Sequence, residues 1–266
     1  VTVLGPVARE RRHTLRFLGF ARSFAPVFLD TEVDMSAVRE HRARTGRYSW
    51  ITYVLHEAGR VLAGHPEANA AIRGGIRPRL ARHDGVHAKV ALDKRLAGHR
   101  VVLSAVLPDV HTAGLGEIQR QLEHYRDGDP ATMPEFAKTR ALHRLPWPFG
   151  PLAFGLVARS LRARGRTMGT VAVSSLGHAA VDGFHSAGGT TVTLGVGRVA
   201  ERPVVRDGRL AIAPVMRLNL AFDHRVIDGA EAADVLTALR DRLEGFAAPP
   251  AAGPVPAPAV ADGRAG

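Results

Sequence analysis

The chain contains no cysteine, which removes disulfides, thiolate nucleophiles and thiolate metal sites together. Aromatic residues are scarce, at 6%. No apolar run approaches the roughly 18 to 20 residues that a membrane-spanning helix needs. The opening "VTVLGPVARERRHTLRF" lacks the charged-then-apolar order of a secretory signal, so the expected location is cytoplasmic. Acidic charge is also short: 25 Asp and Glu stand against 36 Lys and Arg, for a formal charge of +11. Such an excess draws in acidic partners and phosphorylated molecules through long-range attraction. The arginines are spread along the chain, with no recognition-helix pattern, aromatic RNA signature or zinc spacing, so no specific nucleic-acid binding is expected. The histidines lack metal-ligand spacing, and no metal is expected either.

What is present is an ordinary globular composition, 45% hydrophobic and 23% charged, at a length compatible with one large domain. Residues 1 to 24 read as a basic amphipathic helix ending before Pro26. "PVFLDTEVDM" alternates like a strand, Ser36 is placed to cap the helix "AVREHRART", and "WITYVLHEAGRVLA" has the pattern of a buried helix. "HAKVALDKRLAGHRVVLSAVLPD" reads as two strands and "GEIQRQLEHYRD" as a helix. Residues 127–168 break the rhythm with prolines in an apolar and basic segment. They read as an inserted helical excursion covering a hydrophobic face, or alternatively as a membrane-surface or partner-docking element. Strands follow in "GTVAVSSLG", "TTVTLGVGRVAERPVV" and "LAIAPVMRLNLAF", then a helix from about Ala230 to Phe246. The expectation is one α/β (α+β) domain over 1–246 and a disordered Pro/Ala-rich tail over 247–266.

"NLAFDHRVIDGAEAADVLTALRDRLE" sets His224 four positions before Asp228, where a strand gives way to a helix. A neutral imidazole held at a strand end is a capable general base. Gly229 permits a backbone conformation that a side chain would forbid. Taken bare, the His-x-x-x-Asp-Gly pattern fits a structural histidine as well as a catalytic one.

The surrounding blocks carry more. "FDHRVIDGAEAADVLTALRDRLE" resembles the C-terminal signature of the dihydrolipoamide acyltransferase cores of 2-oxo acid dehydrogenase complexes, a family sharing its fold with chloramphenicol acetyltransferase. "PVFLDTEVDMSAVREHR", "YSWITYVLHEAGRVLAGHPEANAAI", "GTVAVSSLG" and "GRVAERPVVRDGRLAIAPVMRLNLAFDHRVIDG" are similar to its other blocks, in the same order. The resemblance implies a mixed sheet flanked by helices and a homotrimer in which the histidine of one subunit meets the serine of the next. It implies His224 as general base, Ser174 (with Ser175 the neighbouring alternative) as oxyanion donor, and Asp228 as an architectural residue bonded to Arg12, Arg16 or Arg22. A coenzyme A thioester, or an acyl carrier, would be the acyl source. Lone loop histidines such as His178 and His185 are given no role.

The resemblance thins at the acceptor side. "LAGHRVVLSAVLPDVHTAG" lacks the family's Gly-Leu-x-Thr-Pro stretch, and the excursion follows it. Lys94 in "LDKRL" lacks the hairpin context of lipoylation, so it reads as an exposed lysine and no lipoyl group is expected in this chain. The leading expectation is a stand-alone acyltransferase moving an acyl group from a thioester to a thiol, hydroxyl or amine by direct attack. The alternatives are a non-catalytic trimeric scaffold or docking protein, and a cleft turned to condensation or cyclisation.

Overall fold

A computed structural model describes residues 2, 4–74, 76–145 and 149–247. In chain order the elements are α1 (Arg12–Ala21), β1 (Pro26–Asp34), α2 (Ser36–Thr45), α3 (Trp50–Gly64), β2 (Ala70–Arg73), β3 (Arg79–Arg82), β4 (Ala88–Leu96) and β5 (His99–Leu107). They continue with α4 (Leu115–Asp127), α5 (Ala137–Arg144), α6 (Phe149–Arg159), α7 (Leu161–Met168), β6 (Val171–Ser175), β7 (Val192–Arg206), β8 (Arg209–Asp223) and α8 (Gly229–Glu244). No helix among the described residues is long and apolar enough to cross a membrane.

Six strands form one sheet in the order β1-β8-β7-β6-β4-β5, and β2 pairs with β3 in a small second sheet. The large sheet is mixed: β6 runs parallel to both β4 and β7, while the outer pairs are antiparallel. Parallel neighbours need a long crossover. The chain from β4 to β6 supplies it through β5 and α4 to α7, so most of the 127–168 excursion is helical and forms part of this connection.

Strand alternation sends Val171 and Val173 of β6, Val192, Leu194 and Val196 of β7, and Leu218, Leu220 and Phe222 of β8 to one face. There they join Tyr53, Leu55 and Leu62 of α3 and Val235, Leu239 and Leu243 of α8 in the main core. Each such side chain contributes roughly 1.5–3 kcal/mol when fully removed from water. The opposite face is small and polar. Its residues include Lys89, Ala172, Ser174, Thr193, Gly195, Gly197, Asn219 and Asp223, and the irregular segment 176–191 lies across it. Two glycines make that approach possible: a Cβ on Gly195 or Gly197 would run into the backbone carbonyls of Phe184 and Asp182 respectively.

Three local expectations are corrected. Ser36 is the first residue of α2 rather than its cap; the Asp34 carboxylate accepts from the Ser36 N–H at 3.0 Å instead. A carboxylate two residues upstream satisfies an orphan donor as well as the serine hydroxyl would. Lys94 is half-buried, not exposed, and its ammonium donates to the carbonyls of Arg126 and Gly128 at the end of α4, where the helix dipole is negative. The amphipathic N-terminal helix is shorter than 1–24, with a 3-10 turn over Arg9–Arg11 leading into α1. Of the 247–266 tail, all but Ala247 lies outside the described residues.

Candidate active site

His224 follows the last residue of β8 and opens the turn into α8. Its backbone N–H donates to Ala25 O at 2.9 Å, which ties the turn to the start of β1. The residue before it does the rest. The Asp223 side chain is 1% exposed and accepts from Ala25 N at 3.3 Å, from Arg225 N at 3.2 Å, and from Arg225 Nε and Nη2 at 2.8 and 2.6 Å. The bidentate guanidinium pairing fixes both neighbours of His224 as well as bringing opposite charges together. Arg225 also lies over the Phe24 ring at 5.0 Å. Its pKa is raised, first by the Asp223 hydrogen bonds, against a smaller loss from burial.

The His224 imidazole is about half exposed (46%) and lies 5.4 Å from the Phe222 ring. Its Nδ1 stands 3.4 Å from Asp228 Oδ1, and its Nε2 has no hydrogen-bond partner among the described residues. Asp228 is the N-cap residue of α8 and 89% exposed. Among the described residues of one copy, the ion pair of Asp228 is with His224, and Arg12, Arg16 and Arg22 make none with it. The buried carboxylate that meets an arginine here is Asp223. Asp223, five residues before Asp228, thus makes the arginine pairing seen within the turn. Sequence reasoning missed Asp223 and Arg225, although the signal was present: an acid and a base flanking one histidine can chelate each other only by wrapping round it.

Ser174 and Ser175 part ways in the structure. The Ser175 hydroxyl accepts from Gly177 N at 3.3 Å and so belongs to the turn after β6. Ser174, half-buried on the polar face, has a hydroxyl without a hydrogen-bond partner among the described residues. It pairs with Gly195, and Gly195 with Asn219. Asp223 lies four residues beyond Asn219, about 13 Å along the strand and two strands, about 10 Å, across, so Ser174 and the His224 turn are roughly 16 Å apart in one chain. Ser174 and Asp223 nevertheless share the same face of the sheet.

Two buried cations hold the segment that covers this face. Lys89 projects from β4, donates to Gly188 O and sits 4.5 Å from the centre of the Phe17 ring. Burial, and secondarily the Arg164 charge, push its pKa down to about 7. Arg164 of α7 donates to Gly189 O at 2.6 Å and lies over Phe20 and Phe24 at 5.1 and 5.4 Å. Burial lowers its pKa to about 10, partly offset by Asp223. His185, in the same segment, packs against Phe28 with ring centres 5.1 Å apart. No cluster among the described residues could hold a metal ion.

Residues 156–249 match the family described as 2-oxoacid dehydrogenases acyltransferase (catalytic domain). A curated relative, the dihydrolipoyllysine-residue acetyltransferase component of the pyruvate dehydrogenase complex of Bacillus subtilis (strain 168), is 53% identical over 50 residues. That match covers 19% of this chain and 11% of the relative. Among solved structures, the dihydrolipoamide acetyltransferase of Azotobacter vinelandii superposes with a TM-score of 0.66 at 20% identity, covering 92% of each chain. Chloramphenicol acetyltransferase gives 0.52 at 18% identity, covering 89% of this chain and 98% of that one. At these identities the superpositions establish the fold: the mixed six-stranded sheet flanked by helices is that of chloramphenicol acetyltransferase and its relatives.

Proposed function

We propose that this chain is an acyltransferase of the catalytic-core family of 2-oxoacid dehydrogenase complexes, a reading supported by the family match over residues 156–249 and by a shared fold over 92% of its length. It moves an acyl group from a coenzyme A or carrier-protein thioester to a thiol, hydroxyl or amine. The carrying observation is the His224 turn: an imidazole whose Nε2 has no partner among the described residues, on a backbone clamped by Ala25 and by the Asp223–Arg225 pair.

The chemistry follows from those groups. His224 Nε2 takes the proton of the acceptor X–H as X attacks the thioester carbonyl carbon. The former carbonyl oxygen becomes an oxyanion, to which the unclaimed Ser174 hydroxyl donates. Collapse breaks the carbon–sulfur bond, and the departing thiolate recovers the proton from the imidazolium. One aimed donor is worth about 3–4 kcal/mol at such an oxyanion. Asp228, 3.4 Å from Nδ1, favours the tautomer with its proton on that side and steadies the imidazolium. The studied mechanism of the Azotobacter vinelandii enzyme involves a serine, a histidine and an asparagine four positions beyond the histidine. Here the equivalent spacing ends in Asp228, a carboxylate in place of an amide.

A site built from both groups requires two copies, because one chain holds them roughly 16 Å apart by strand geometry. A closed cyclic assembly in which the His224 turn of one copy faces Ser174 of the next supplies it, and a homotrimer is the proposed form. The arginine excess suits a phosphorylated donor approaching by electrostatic attraction. Incubating the protein with acetyl- or butyryl-coenzyme A and dihydrolipoamide, cysteamine or an alkyl amine, with mass spectrometry of the products, tests the assignment. Transfer that falls by several orders of magnitude in His224→Ala, with assembly intact by light scattering, supports it; full turnover in that variant refutes it.

A further inference from the structure

A cleft between α1 and α6 lies outside the catalytic groups just discussed. It has a volume of about 590 Å³, within the usual range for small-molecule sites. Its apolar lining comes from Leu15 and Phe20 on one wall and Phe154 on the other, and the Phe20 and Phe154 rings meet edge to face at 6.4 Å. Three guanidiniums surround that lining: Arg12 and Arg16 on α1 and Arg159 on α6. None of them pairs with a carboxylate among the described residues. Arg16 donates to Leu142 O at 2.9 Å and threads past Gly150, whose missing Cβ leaves it room. Burial, and after it the charge of Arg12, lowers the pKa of Arg16, as unmatched positive charge in a partly dry cleft should. Glycines face the opening from both sides: Gly19 and Gly155 line it, and a Cβ at Gly19 would meet nothing within 4 Å.

An apolar slot rimmed by like charges without counter-charge is complementary to a molecule with an apolar chain and an anionic end. The slot also leads somewhere. Phe20 is 5.4 Å from Phe24, Phe24 lies beneath Arg225, and Arg225 adjoins His224 in the clamped turn. We propose that the α1–α6 cleft binds an anionic amphiphile, a saturated acyl chain carrying a carboxylate or phosphate group. That the cleft seats the chain of a long-chain acyl thioester whose carrier bears the phosphate, with the carrier thiolate as leaving group at His224, rests on the acyltransfer reading above.

Calorimetric titration with dodecanoate, dodecyl phosphate and neutral dodecyl maltoside, each below its micelle threshold, tests the cleft on the whole chain. Both anions are expected to bind with micromolar affinity and the maltoside at least tenfold more weakly. A preference for the phosphate head points to phosphorylated carriers as the source, and a preference for the carboxylate to free fatty acids. Gly19→Phe, which fills the slot, and the double variant Arg12→Gln with Arg159→Gln should each weaken the anions at least tenfold. Absence of anion binding, equal binding of the maltoside, or indifference to both variants would overturn the proposal. Binding should survive His224→Ala. A protein that binds the anions yet transfers no acyl group sinks the catalytic reading and leaves the cleft; one that transfers but binds neither anion sinks the cleft alone.

Discussion

Replacing Lys89 by Met should change the pH dependence of stability more than stability itself. In the folded chain burial lowers the Lys89 pKa from 10.5 to about 7. Between those values the unfolded chain carries the proton and the folded chain does not, so the wild-type protein gains stability as pH rises through that window. Below pH 7 the buried ammonium is charged, and its cost is fully present. Each pKa unit is 1.36 kcal/mol, so between pH 6 and pH 9 the wild type should gain roughly 2–3 kcal/mol relative to Lys89→Met. The hydrogen bond to Gly188 O, which a neutral amine also makes, affects the comparison only as a nearly constant offset. Urea unfolding of both proteins at pH 6, 7.5 and 9 gives the difference directly. A wild-type-minus-variant difference that stays flat across this range would show that Lys89 titrates like a solvent lysine, and that the segment over the Ser174 face is not held by a dehydrated cation.

Other perturbations are expected to act as follows. Asp223→Asn removes the carboxylate that chelates Arg225; because Arg225 is one-third exposed, the cost should be about 1–3 kcal/mol in thermal or urea denaturation, with a larger proportional loss of turnover than of stability. An Asp223→Asn protein with unchanged turnover would separate the clamp from the chemistry. Glu57 is buried between His56 Nδ1 and Arg242 Nε, each 2.6 Å away. Burial works to raise its pKa, but these partners outweigh it and hold the group below its ordinary value. The carboxylate thus adds stability above its unfolded pKa that disappears as pH falls through the folded one. Glu57→Gln should therefore flatten the acid limb of the stability profile, which denaturation at pH 3 to 6 will read.

The strand content and order of the C-terminal half were legible because β8 and its helix alternate cleanly: Leu218, Leu220 and Phe222 inward, with α8 following at helical period. The excursion was harder. Its helices α5 to α7 are short, prolines interrupt the stretch around α5 and α6, and α6 leaves Phe149, Leu152 and Leu156 exposed, so no buried stripe announced its orientation. β2 reads as a short extended piece after α3, but its partner β3 escaped notice, since a four-residue strand such as "RLAR" carries too few alternations to register. At the site, His224 stood out by residue type, whereas the clamp around it depends on which of two aspartates turns inward. Asp223 and Asp228 are alike in composition. Only the strand's end, which buries Asp223 against Ala25 and leaves Asp228 on the first turn of a helix, tells them apart. Lys89 was equally silent, because a lysine in "HAKVALD" fits an outward strand position until the 176–191 segment is seen lying over it.

Mixing two inactive variants tests the shared site most directly. His224→Ala and Ser174→Ala chains, unfolded together in equal amounts and reassembled, should regain about a quarter of native transfer activity, because a random cyclic assembly joins an intact histidine to an intact serine at one interface in four. Activity no higher than the mean of the two variants alone would mean that these residues do not meet across a boundary between copies, and the account would fail there.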